Sequence, residues 1–119
     1  MIDTEKLEQT VSNLTDKIFY LENCGGFPAY TKLYARFRAG EVTEGEAAQE
    51  VSTILETVET PEYLTPREWL FRFDGWLESM ADWCAGFSDA ALYVKGINEL
   101  HDYVVEDRLI LRFVLDHLS

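Results

Sequence analysis

Apolar residues recur along this chain at alternating steps of three and four, the period of one face of an α-helix rather than of a strand. Leu7, Val11, Leu14, Ile18 and Leu21 form the first stripe. A start at Asp3 or Thr4 and an end at Asn23-Cys24-Gly25-Gly26 are predicted, since glycine reaches the left-handed geometry that closes a helix. Pro28 then opens a shorter helix, its missing N–H costing nothing in a first turn, with Tyr30, Leu33, Tyr34 and Phe37 on its apolar side and Gly40 at its end.

Two helix starts are written in the same way. Thr43 and Glu46 have the spacing of a capping box, and Val42 and Ala47 sit where a hydrophobic staple closes. Thr65 and Glu68 repeat the box, Leu64 and Trp69 repeat the staple, and Pro66 takes the first helical position. The third helix buries Ala47, Val51, Ile54, Leu55 and Val58 and stops at Thr60-Pro61, because a residue before proline avoids helical geometry. In the fourth, Trp69, Phe73, Trp76, Met80, Trp83 and Phe87 follow one face, with Leu70, Leu77 and Cys84 one step around. Together they span an arc of roughly 140°, wide enough for two neighbours. This helix, ended by Gly86, is expected at the centre of the molecule, and its tryptophans are expected in the core rather than in a ligand box.

Ser88 caps the next segment, and from Asp89 onward Leu92, Tyr93, Ile97, Leu100, Tyr103 and Val104 hold helical spacing. Ile110, Leu111, Val114, Leu115 and Leu118 resume it after Asp107 has interrupted the apolar face. A kink near Glu106-Asp107 or two separate helices are expected there, with a buried strand over Leu109 to Leu115 as the alternative. The whole reads as one all-α domain over residues 1–119, a compact bundle of five to six helices.

Composition adds a sign. Hydrophobics at 47% and aromatics at 13% describe a folded chain, yet its formal charge is −12. Seven glutamates, Glu41, Glu44, Glu46, Glu50, Glu56, Glu59 and Glu62, lie between Arg38 and Arg67 without a lysine or arginine among them. Helices ordinarily intersperse charges, since Glu to Lys pairs at i, i+4 stabilise by a few tenths of a kcal/mol. The preceding helix, with Lys32, Arg36 and Arg38 and no acid, is the one internal counterweight in view. On the fourth helix Asp74, Glu78 and Asp82 form a ridge at i, i+4 and i+8 into which Phe71 projects, the arrangement of an aromatic anchor with an acidic rim.

Such a charge argues against direct binding to nucleic acid or to an anionic membrane, both of which need basic patches. No signal-peptide pattern and no run of eighteen apolar residues occurs, so a cytoplasmic location is expected. Cys24 and Cys84 form no CxxC pattern, and a small buried thiol is the reading for Cys84. His101 and His117 have no partner motif, no nucleophile has a base beside it, and no cofactor is implied.

The expectation is a non-enzymatic acidic inhibitor that occupies a basic surface of a nuclease or nucleic-acid-binding complex, the strategy of phage anti-defence proteins and DNA mimics. Its contact residues would be the seven glutamates with Phe71, Asp74, Glu78 and Asp82. An immunity protein or antitoxin of a nuclease toxin is the near alternative. A homodimeric scaffold using Phe19, Tyr20 or Phe71 is the alternative of a different class. Glu41 with Glu44, and Glu99 with Asp102, also resemble the ExxE and ExxD pairs by which all-helical nucleoside triphosphate pyrophosphohydrolases hold magnesium, a resemblance of four residues that implies a hard-oxygen metal site.

Overall fold

A computed structural model describes residues 3–60, 64–87, 89 and 94–118, and among these the chain forms five α-helices and no strand. They are α1 (Thr4–Glu22), α2 (Phe27–Arg38), α3 (Glu44–Thr57), α4 (Pro66–Gly86) and α5 (Lys95–Asp116). Local chemistry sets most boundaries. Asp3 caps α1 by accepting from the Lys6 N–H. At α3 the box is complete: the Thr43 N–H donates to Glu46 Oε1 and the Glu46 N–H donates to Thr43 Oγ1, both at 3.1 Å. At α4 the Thr65 hydroxyl accepts from the Glu68 N–H in the same way. The third helix ends earlier than expected, because Val58 is already extended and its N–H closes on the Ile54 carbonyl. The Pro61 and Ser88 signals, and Leu92 and Tyr93, lie outside the described residues.

The turn between α1 and α2 is where glycine matters. Gly25 has φ +61°, and a Cβ there would stand 2.5 Å from the ring of Trp69; at Gly26, φ +79°, it would meet Val58. The turn thus admits Trp69 from α4 and the end of α3 against bare backbone, and a side chain at either position would be strained twice over.

Buried residues form one continuous cluster drawn from all five helices, but its axis is not the one expected. α5, not α4, is the central helix: it lies along α4 and also packs on α1 and α2, while α3 packs chiefly on α2. Within α5, Ile97, Leu100, Val104, Ile110, Leu111, Phe113 and Val114 are all buried. Phe113 stacks against Tyr34 and Phe37 of α2 with ring centres 5.3 and 5.0 Å apart. α4 meets α2 through Phe73 and Phe27, edge to face at 5.3 Å. Its core face is narrower than the sequence arc, since Trp69, Leu70, Phe73, Leu77 and Cys84 are buried whereas Trp76, Met80, Trp83 and Phe87 are only half-covered.

Asp107 does not divide the segment into two helices. α5 runs unbroken through it, and Leu109 to Leu115 is helix. The carboxyl stays on the buried face, 4% exposed, so the helix tolerates the apolar gap instead of ending at it. The assembly is also flatter than a compact bundle, with extents of 51 × 34 × 17 Å. Its radius of gyration is 16.0 Å, where about 13.5 Å is usual for this length.

Candidate functional site

Glu41, Glu44, Glu46, Glu56 and Glu59 are exposed along α3 and its flanks, Glu50 is half-buried, and Glu62 lies outside the described residues. They do not form a single row. At about 100° per residue Glu46 and Glu50 stand about 40° apart, whereas Glu56 lies about 80° beyond Glu46 on the other side of the helix. From Glu44 to Glu56 the axis advances only about 18 Å for four carboxylates, against one charge per about 1.7 Å of duplex. The face is therefore a diffuse negative surface and not a track at phosphate spacing.

Two of the glutamates are engaged within the chain. Glu46 completes the α3 cap, and the hydrogen bond from the Thr43 backbone N–H holds its carboxyl below the usual range. Glu50 is gripped by α2, where Arg36 Nη1 donates to both of its oxygens at 3.0 and 3.3 Å. The basic second helix thus meets the acidic third, as its lack of acids suggested, through one exposed pair that stabilises by about 0–1 kcal/mol.

On α4 the ridge divides. Phe71 is 58% exposed, and Glu78 and Asp82 are exposed with it. Asp74 belongs elsewhere: its side chain is 13% exposed, it faces Arg112 of α5 at 3.6 Å, and its Oδ1 is buried without a hydrogen bond. The sequence ridge held it to the outer face because Arg112, its counter-ion, is remote along the chain. Phe71, Glu78 and Asp82 remain exposed along the outer face of α4.

The four residues of the ExxE and ExxD resemblance do not converge. Glu41 precedes the Thr43 cap, so it shares no helical face with Glu44. Glu44 borders a groove with Asp116 near the end of α5, and Glu99 borders another near its start, seventeen residues or about 25 Å of helix away. Among the described residues no group of three or more His, Cys, Asp or Glu side chains could hold a metal ion. Both cysteines are free thiols, and burial pushes that of Cys84 up.

The sequence did not foretell the carboxyl pair between α1 and α5. Burial raises Asp107 to about 9, helped by a hydrogen bond to Glu22 at the end of α1 and by the charges of Glu22 and Glu106. Its Oδ2 has no hydrogen-bond partner. The signal that could have found it was the single acid in an apolar stripe.

Comparison of the chain with protein-family models, with curated proteins and with solved structures gave no match. The arrangement itself defines the class: an all-helical protein with acidic outer faces, in which no described helix is long and apolar enough to cross a membrane.

Proposed function

We propose that this protein is a non-enzymatic acidic inhibitor that binds a basic, nucleic-acid-binding surface of a partner such as a nuclease, in the manner of phage anti-defence proteins and nuclease immunity proteins. The observation that carries the reading is the exposure of Glu41, Glu44, Glu46, Glu56 and Glu59 on a segment without one basic residue, beside a basic helix that draws in Glu50. Crowded carboxylates weaken a compact state by self-repulsion, and a positive partner relieves that cost. Because the charges are diffuse, their main effect is steering: fast, salt-sensitive association with no fixed register of carboxylate to phosphate sites. Phe71 supplies the desolvated contact that charge alone lacks.

The test is capture at low salt by the parent and by a Glu44→Gln, Glu56→Gln, Glu59→Gln variant, followed by association kinetics with the captured protein. Glu50 is left intact because it is paired with Arg36. The expected result is a basic protein that loses its nucleic acid to the parent, with an on-rate that drops steeply with salt and about tenfold or more in the variant. An on-rate indifferent to both overturns the reading.

The exposure of Phe71 at 58% and Tyr20 at 67% favours one second reading, a self-associating scaffold. Sedimentation separates the two: a dimer that persists in high salt and dissociates on Phe71→Ala would place the function in the apolar contact.

A further inference from the structure

Between α1 and α4 lies an open groove of about 510 Å3, within the range of about 300–1,000 Å3 common for small-molecule sites. Its floor is a run of rings on one side of α4. Trp69 and Phe73 lie 5.1 Å apart, Phe73 and Trp76 are stacked at 6.4 Å, and Trp76 is only half-buried. Over this floor stand two exposed cations, Lys17 from α1 and Arg72 from α4, with Tyr20 at the same wall. The Lys17 ammonium sits 5.3 Å from the centre of the Trp76 ring.

The composition of this lining runs against the rest of the chain. Acids outnumber bases 22 to 10 overall, yet among the described residues that line the groove none is acidic and two are basic. Here Lys17 is turned to the aromatic trough, and Arg72 lines the same trough.

We infer that the groove binds a small aromatic monoanion, its ring system on Trp76 and Phe73 and its carboxylate, sulfonate or phosphodiester between Lys17 and Arg72. Arg72 presents a planar fork suited to two anionic oxygens, and Lys17 a mobile point charge. A single negative charge is specified by the surroundings. Lys17 and Arg72 supply the positive charge at the groove itself, while the net charge of −12 repels polyanions at longer range. The apolar floor requires the rest of the ligand to be flat and unsaturated. This site does not depend on the acidic face of α3 or on its partner.

The test uses 8-anilinonaphthalene-1-sulfonate as probe, followed by titration calorimetry and quenching of tryptophan fluorescence. The expected result is one site per chain, binding weakened about tenfold or more in a Lys17→Gln, Arg72→Gln variant, and little binding of neutral naphthalene-1-sulfonamide. A Lys6→Gln, Lys32→Gln variant makes the same change in net charge away from the groove and should bind as the parent does. Absence of binding, several equivalent sites, equal affinity for the neutral analogue, or equal losses in the two double variants would each overturn the assignment.

Discussion

The third and fourth helices begin alike and end up differently placed. Each starts at a threonine whose hydroxyl accepts the N–H of a glutamate three residues on, and each has an apolar residue just before the cap. Yet α3 buries Ala47 and Val51 fully and packs chiefly on α2, whereas α4 buries Trp69, Leu70, Phe73, Leu77 and Cys84 and lies along the central helix. A cap decides where a helix starts and is indifferent to what it packs against. The width and bulk of the apolar face decide how firmly the helix is held, so α3 is free to devote most of its circumference to charge.

The largest break in this comparison comes from the two cores. Leu77 and Val51 are both fully buried. Leu77→Ala should cost about 3–5 kcal/mol, because its cavity lies in the main core, while Val51→Ala should cost about 2 kcal/mol from the methyl groups removed. Urea denaturation measures both, and equal losses would mean that α3 is as deeply anchored as α4.

A smaller effect, with pH as its handle, belongs to α5, the helix on which α4 rests. Asp107 has a folded-state pKa near 9, raised chiefly by burial. Between about pH 4, where the unfolded carboxyl titrates, and pH 9, the folded chain holds a proton that the unfolded chain has released. Stability is therefore full at the acid end of this window and declines as pH rises through it. Asp107→Asn, which keeps the shape and cannot ionise, should raise stability by on the order of 1–3 kcal/mol at neutral pH and give no gain near pH 4. A gain of the same size at every pH would show that packing, not protonation, is responsible.

The smallest effect sharpens the likeness between the two starts. Thr43→Ala and Thr65→Ala should each cost about 1 kcal/mol. Amide exchange should separate them: the first turn of α3 should lose protection more completely, since fewer tertiary contacts restrain it once the cap is gone.

Much of the architecture was legible because helix signals are local. The stripe from Leu7 to Leu21, the Gly25-Gly26 turn and the boxes at Thr43 and Thr65 all act within a few residues, and the helices start where those signals stand. The same locality explains the errors. The arc on α4 measures how much that helix could bury, not which neighbour covers it, so Trp76 and Trp83 lie on the apolar arc and yet stay half-covered. Asp74 read as part of an exposed ridge because its counter-ion Arg112 comes from another helix. Of the candidate contact residues, the exposure of Glu41, Glu44, Glu46, Glu56, Glu59, Phe71, Glu78 and Asp82 follows the pattern, while the engagement of Glu50 and Asp74 depended on packing.

The sequence by itself determined that the chain is helical, where four of its helices begin and that its surface is acidic, because periodicity, caps and charge are properties of neighbours along the chain. Only the tertiary structure decided that α5 is the axis, that Asp107 lies buried beside Glu22, and that Lys17 and Arg72 share an aromatic groove. Each of these joins residues far apart in sequence, and their contact is fixed by how the helices pack and not by any local preference.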